Sequence, residues 1–86
     1  MEIRYSNHLL FRIRVREIPE DLPRKVYRRA SRRFFDPETA TEIAVYRATH
    51  LGKRREMALV YRRHADTVVL ITIHPLKSGQ LENRLR

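Results

Sequence analysis

The chain has 86 residues, of which 19 are lysine or arginine and 10 are aspartate or glutamate, giving a formal net charge of +9. A chain of this length holds one hydrophobic core, so residues 1–86 are predicted to form a single basic domain, and the absence of cysteine excludes disulfides and zinc sites built on thiolates. The charge predicts an anionic partner such as RNA, because neutralised phosphates release their counterions, although a basic chain can also be merely soluble.

The N-terminal residues are predicted to form a strand and then either a second strand or a helix. Met1 to Tyr5 alternates apolar and charged side chains, which is typical of a strand. Residues 11–16 alternate apolar side chains with arginines, and this pattern alone predicts a strand over residues 9–16. A helix is the alternative, because Ser6 or Asn7 is a favourable N-cap. The pattern leaves both assignments open.

A second helix is predicted from Pro19 to about Phe34. Proline opens a helix readily, and Glu20 and Asp21 occupy the first turn, where the helix dipole favours negative charge. The apolar positions fall on one side, at Leu22, Val26, Ala30 and Phe34. The opposite half carries six cations, which are Arg24, Lys25, Arg28, Arg29, Arg32 and Arg33. These cations predict a surface for nucleic-acid phosphates, and a solvated helix face is the alternative.

Three β-rich segments after the turn at residues 36–38 predict an antiparallel meander. The segments are Glu42–Ala48, Met57–Arg62 and Thr67–His74. A loop with Gly52 joins the first two, and its cations are predicted to contact phosphate, namely Lys53, Arg54 and Arg55. The third segment is almost continuously apolar, which predicts a strand that is central or backed by helices and that lies beside the first strand.

Residues 77–86 are predicted to form a short closing helix, with Ser78 as its cap and Leu81 and Leu85 as its buried stripe. The predicted fold is therefore α+β, in the order β-α-α-β-β-β-α. No apolar stretch reaches the ~18 residues that a membrane helix requires, and the N-terminus carries charges where a secretory signal is apolar. These features predict a cytoplasmic protein that does not contact a membrane.

If residues 7–16 are helical, His8, Arg12 and Arg16 form one polar row, because they lie four residues apart. Cleavage of RNA by its own 2′-hydroxyl requires a base, an acid and cations near the phosphate, and imidazole with guanidinium supplies these roles. His74 is a candidate second imidazole that faces His8 and completes the acid and base pair. The alternatives are a capping or surface role for His8 and a backbone hydrogen bond for His74.

Short motifs along the chain resemble a family of small domains of unknown function. In residues 5–18, His8 is followed by arginines four and eight residues later and then by Glu17-Ile18, where the family has a Gly-Ile pair. The likeness continues through residues 35–36, 60–61 and 71–75. That family is similar to the BrnT and RelE/ParE toxins of bacterial and archaeal toxin–antitoxin pairs, whose fold is two N-terminal helices packed on an antiparallel sheet. The resemblance favours the helix over residues 7–16.

The resemblance implies a metal-independent RNA-cleaving activity without a cofactor, with His8, Arg12 and Arg16 as the motif residues carried over. It also implies an acidic antitoxin protein that holds this activity in check. Two alternatives stay open, because fold-level likeness does not establish turnover. One is a non-catalytic RNA-binding or protein-binding module, and the other is an interaction protein whose basic helix docks an acidic antitoxin.

Other kinds of site have no matching pattern in the sequence. The chain has two glycines, which excludes a glycine-rich phosphate loop, and its histidines lack the HExxH spacing of a zinc site, so no metal site is predicted. Tyr46 and Tyr61 are predicted on adjacent strands, where they either stack on a base or pack in the sheet.

Overall fold

The computed structural model describes residues 1–76, which form a five-stranded sheet with two helices on one face. The elements, in chain order, are β1 (Glu2–Tyr5), α1 (Asn7–Val15), α2 (Leu22–Arg29), β2 (Arg32–Asp36), β3 (Thr41–His50), β4 (Lys53–His64) and β5 (Thr67–Pro75). The strands lie side by side in the order β1-β5-β4-β3-β2. β1 is parallel to β5, and the other neighbouring pairs are antiparallel. None of the helices in this part of the chain is long and apolar enough to span a membrane.

The α+β class is correct, but the predicted order β-α-α-β-β-β-α is wrong. The helix expected to reach Phe34 ends at Arg29, and residues 32–36 form β2 instead. The sheet is mixed rather than antiparallel, because β1 pairs with β5 in parallel. The meander of β3, β4 and β5 and the pairing of the first strand with the last are as predicted. The closing helix predicted over residues 77–86 lies outside the described residues.

The second helix ends early because the residues that follow it pair with β3 instead of continuing the helix. Ala30 takes an extended conformation, with φ −51° and ψ 132°. Every residue of β2 then pairs with β3, beginning with Arg32 opposite Val45. Phe34 also packs against the side of the sheet that the helices do not cover. Aromatic residues favour strands, and these tertiary contacts override the weak helix preference of the segment.

α1 forms where the alternating pattern also allowed a strand, and this confirms the helical alternative. Ser6 caps the helix, because its Oγ accepts the backbone N–H of Leu9 at 3.0 Å. The same hydroxyl donates to the carbonyl oxygen of Ile71 at 2.8 Å, which fixes the start of α1 to β5. Leu9 and Ile13 are the buried residues of the helix. They lie four residues apart, so burial follows the helical period and not the alternation.

The end of α1 is a left-handed turn at Glu17. The Ile18 N–H donates to the Ile13 carbonyl at 2.9 Å, and the Glu17 N–H donates to the Arg14 carbonyl at 3.4 Å. These two bonds form a Schellman motif, which places a left-handed residue directly after the C-cap. Glu17 takes that conformation, with φ 53°. A Cβ strains such a backbone, so glycine is favoured at this position.

We expect Glu17→Gly to stabilise the domain by about 1 kcal/mol, because glycine adopts the left-handed conformation without strain. In thermal unfolding, this change should raise Tm by about 4–8 °C for a domain of this size. Glu17→Ala is the matched control, because it removes the carboxylate and keeps the Cβ, and its Tm should stay near that of the wild type. An equal rise in Tm in both variants would show that loss of the carboxylate, and not relief of backbone strain, stabilises the domain.

Two apolar clusters lie on the two faces of the sheet. The larger one joins both helices to the first face, and its fully buried members include Leu9, Val26, Leu59, Tyr61 and Leu70. The smaller one lies on the second face and contains Ile43, Val45, Ala58 and Val60, with Phe34, Ile71 and Leu76 packed against it. β3 and β4 contribute to both clusters and are therefore buried on both sides. Both helices pack on the first face, and this packing fixes the position of the helical residues in the candidate site.

Candidate nucleic-acid interface

The outer side of α2 carries four exposed cations, here called the α2 basic face: Arg24, Lys25, Arg28 and Arg29. The opposite side of the helix is buried, at Leu22, Pro23, Val26 and Tyr27. Within residues 1–76 none of the four cations forms an ion pair with a carboxylate. Like charges at this spacing repel one another, so an anion bound to the α2 basic face would relieve this repulsion.

Tyr5 connects the end of β1 to the start of α2. Its hydroxyl donates to the Glu20 carbonyl at 2.7 Å and accepts the Arg24 backbone N–H at 3.3 Å. The Arg24 guanidinium lies 5.5 Å from the centroid of the Tyr5 ring, within cation–π range. Burial raises the pKa of the Tyr5 phenol above its ordinary value of 10.0, and the Arg24 hydrogen bond opposes this. The folded state favours the neutral phenol, so this contribution to stability is present below about pH 10 and is lost at higher pH.

Arg32 and Arg33 do not belong to the helix face on which they were predicted, because both lie on β2. The Arg32 guanidinium forms an ion pair with Glu56 on β4. The Arg33 guanidinium donates to the Tyr61 hydroxyl at 3.1 Å and also to the Tyr27 carbonyl. It lies 5.2 Å and 6.0 Å from the centroids of the Tyr27 and Tyr61 rings. Arg33 therefore connects β2, α2 and β4, and its guanidinium is already engaged within the molecule.

We expect Arg33→Ala to lower the free energy of unfolding by about 2 kcal/mol, because it removes the charged hydrogen bonds to the Tyr61 hydroxyl and the Tyr27 carbonyl. The neighbouring Arg32→Ala is the matched control. It removes an exposed ion pair, and such pairs contribute about 0–1 kcal/mol. Urea unfolding of both variants measures the difference. Equal losses would contradict the internal role assigned to Arg33.

The cations predicted in a loop near Gly52 lie at the start of β4 instead. β3 and β4 extend further than predicted, and Leu51 and Gly52 form a two-residue turn with φ 53° and 77°. Positive φ at both positions is typical of a type I′ hairpin turn. Side chains alternate along β4, so Lys53 and Arg55 project toward the helix side, and Arg54 projects toward the second face. These three residues therefore do not share one surface.

On α1 the structure brings His8 and Arg12 into contact. Arg12 Nε donates to His8 Nε2 at 3.3 Å. His8 is exposed, and Arg12 is half-buried. Arg16 is the C-cap of the helix, and its backbone N–H donates to the Arg12 carbonyl at 2.9 Å. Of the predicted row, the structure thus brings the His8 and Arg12 side chains into contact, whereas Arg16 is linked to Arg12 through the backbone.

His74 is not brought together with this row. It lies directly opposite Ala58 in the pairing of β4 and β5, and opposed residues project from the same face of a sheet. Ala58 belongs to the apolar cluster of the second face, whereas α1 packs on the first. The imidazole pair expected between His8 and His74 is therefore not formed. Tyr46 and Tyr61 pack in the larger cluster, so neither offers an open ring for a base.

His50 is a structural residue that lies beyond the end of the predicted segment Glu42–Ala48. It ends β3 and is buried, with 5% of its surface exposed. Its Nε2 donates to the Arg16 carbonyl at 3.0 Å, which ties the hairpin to the end of α1. Its Nδ1 is buried without a hydrogen-bond partner among residues 1–76. The signal for this burial was the spacing of Ala44, Ala48 and His50 on one side of a longer strand.

Comparisons with known proteins give no relative from which a role can be transferred. No family model, no curated protein and no solved structure matches this chain. Among residues 1–76, no group of three or more histidine, cysteine, aspartate or glutamate side chains is placed to hold a metal ion. The α2 basic face and the row on α1 are therefore the features on which a functional proposal rests.

Proposed function

We propose that this protein binds RNA through the α2 basic face. The observation that carries the proposal is a set of four exposed cations on one helix that form no ion pair within residues 1–76, in a chain of net charge +9. Cations that contact phosphates give affinity that is independent of sequence and falls steeply with salt. Such contacts fix the position of the nucleic acid and carry no base preference.

We further propose that the row on α1 cleaves the bound strand without a metal ion. Arg12 Nε donates to His8 Nε2, so Nε2 is the acceptor nitrogen of the imidazole in this contact. When a phosphate draws the Arg12 guanidinium away, that nitrogen is free to accept a proton. His8 then takes the proton of the 2′-hydroxyl, the 2′-oxygen attacks the phosphorus, and the bond from phosphorus to the 5′-oxygen breaks. The products are a 2′,3′-cyclic phosphate and a 5′-hydroxyl.

Arg12 and Arg16 supply positive charge to the phosphate as it gains a fifth oxygen ligand. The leaving 5′-oxygen takes its proton from water, because the row itself offers no second imidazole and His74 lies on the other face of the sheet. Guanidinium groups stay protonated and stabilise the transition state by charge and hydrogen bonding. Cleavage by this row is therefore slow compared with cleavage by a paired acid and base.

The toxin-like role implied by the resemblance is part of this proposal. A protein that restrains such an activity would be acidic, because it has to cover a surface that carries several unpaired cations. The net charge of +9 and the exposed α2 basic face support an acidic partner of this kind.

A non-catalytic RNA-binding module is the second candidate, and the position of His74 favours it. General acid and base groups act together in efficient cleavage of this type, and the structure provides one imidazole in the row. In this case the α2 basic face has the same role, and His8 and Arg12 bind phosphate without turnover.

Incubation of the protein with end-labelled RNA in EDTA tests the proposal. We expect binding at low salt (about 50 mM) that weakens steeply toward 200 mM, and slow release of fragments ending in a cyclic phosphate. Binding without fragments supports the second candidate. The absence of binding at low salt contradicts both candidates.

A further inference from the structure

A groove lies between α1 and the start of α2. One part of it has a volume of about 570 Å³, with Leu10, Phe11 and Ile18 among its apolar walls and Arg14 and Glu20 among its charged ones. The adjoining part has a volume of about 520 Å³ and is lined by Tyr5, Leu10, Glu20, Asp21 and Arg24. Leu10 and Glu20 line both parts, so the groove is continuous. Each part has the size of a typical small-ligand site, roughly 300–1,000 Å³.

Phe11 leaves an aromatic ring open to solvent in this groove. Its side chain is 62% exposed, and that of Leu10 is 41% exposed. Basic proteins that bind single-stranded nucleic acid place aromatic rings beside a cationic track, because any base stacks on an aromatic face. Arg14 follows Phe11 by three residues and therefore lies beside it on the helix.

The charges in the groove favour an uncharged polar ligand. Two cations and two carboxylates line the groove, Arg14 and Arg24 with Glu20 and Asp21, so its formal charges sum to zero without a direct ion pair among residues 1–76. The two carboxylates disfavour a phosphate inside the groove, although not on the outer sides of its arginines, and they equally disfavour the side chains of an acidic peptide there. A second copy of this chain carries the same charge of +9, so its approach is also unfavourable. A nucleobase fits these conditions, because it is flat and neutral, and its N–H groups can donate hydrogen bonds to the carboxylates.

We propose that the groove holds one unstacked base of single-stranded RNA, which stacks on Phe11 while its flanking phosphates lie on Arg14 and the α2 basic face. Arg24 supports this placement, because it lines the groove and also belongs to the α2 basic face. The inference rests on the proposed RNA binding and specifies its substrate class. Duplex RNA keeps its bases stacked and paired, so it contacts the cations without entering the groove.

Phe11→Ala tests this placement, with fluorescence anisotropy on a short single strand and on a duplex of the same sequence. Stacking on an aromatic side chain contributes ~1–3 kcal/mol per base, so we expect single-strand affinity to fall by about 5- to 150-fold. Duplex affinity should stay within about twofold of the wild type, since duplex contacts are made by cations. Phe11→Trp keeps an aromatic face and should restore single-strand binding.

Val15→Ala is the matched control, because Val15 is 60% exposed on the same helix and does not line the groove. It should leave both affinities unchanged. The inference is overturned if Phe11→Ala binds the single strand as the wild type does, if both RNA forms lose affinity equally, or if Val15→Ala loses as much. A wild-type dimer that Phe11→Ala converts to a monomer overturns it in favour of self-association.

The same experiment separates this inference from the proposed function. If the wild type binds neither RNA form at low salt, the proposed function fails, and this inference fails with it. If the wild type binds both forms and Phe11→Ala binds them equally well, RNA binding stands and the groove is not the base site.

Discussion

Reversing two charges of the α2 basic face, in Lys25→Glu with Arg28→Glu, is expected to weaken RNA binding by roughly 100-fold at about 0.1 M salt. Both side chains are exposed and lie on the side of α2 opposite its buried residues. Each phosphate contact releases counterions, so losing two contacts should reduce the slope of log affinity against log salt by about 1.4 to 1.8. Anisotropy titrations at several salt concentrations measure both quantities.

The matched control for this variant is Arg47→Glu with Arg62→Glu. These exposed arginines follow Val45 and Val60 by two residues, so they project from the second face of the sheet, away from α2. The change in net charge is identical, and the salt slope should stay close to that of the wild type. Equal effects of the two double variants would show that overall charge, and not the α2 basic face, controls binding.

His8→Ala is expected to slow cleavage by about 100- to 10,000-fold, which is the usual contribution of a general base. His8 is exposed on α1, so its removal should leave the fold and the affinity for RNA nearly unchanged. Single-turnover cleavage in EDTA measures the rate, and circular dichroism with anisotropy measures fold and affinity. Arg12→Lys should give an intermediate rate, because it keeps the charge but loses the forked donor geometry.

His64→Ala is the control for His8→Ala. His64 is an exposed histidine at the end of β4, beside the turn that leads to β5. Its removal should leave the cleavage rate at the wild-type level. Cleavage that persists unchanged in His8→Ala would remove the catalytic assignment of the row on α1, and the protein would then be an RNA-binding module.

The sequence was sufficient for the elements whose signals are local. Ser6 or Asn7 was predicted as the cap of α1, and Ser6 takes this role, because its hydroxyl accepts the Leu9 N–H. The apolar run in β5 correctly predicted an interior strand beside β1. The helical period also correctly predicted which side of α2 faces solvent, for the residues that are helical. Leu22 and Val26 are buried as expected, so the opposite side is exposed.

The end of α2 could not be predicted, because it depends on β3, which lies later in the chain. Apolar residues continue at helical spacing to Phe34, and local patterns alone therefore extend the helix. Strand pairing with β3 decides the conformation instead. Because this helix end was predicted wrongly, Arg32 and Arg33 were assigned to an open helix face. In the structure they contact Glu56 and the Tyr61 hydroxyl.

The position of His74 shows a second limit of local patterns. In a nearly continuous apolar strand both faces look alike, so the side on which a polar residue projects is not defined by alternation. The pairing of β4 with β5 also shifts between Val60 and Tyr61, because Val60 pairs with Thr72 and Tyr61 pairs with Leu70, which leaves Ile71 out of the register. Beyond that shift His74 projects to the second face. The groove beside Phe11 was missed for another reason, because it depends on how α1 and the start of α2 pack.

The parallel pairing of β1 with β5 has a consequence for the order in which this domain assembles. Ile3 pairs with Val68, so within residues 1–76 the sheet neighbour of β1 is β5, the last described strand. During synthesis, α1 emerges from the ribosome long before the strand to which Ser6 is anchored. Contacts so distant in sequence form late and slow the folding of small proteins. A nascent chain would therefore complete this sheet only after β5 has emerged from the ribosome.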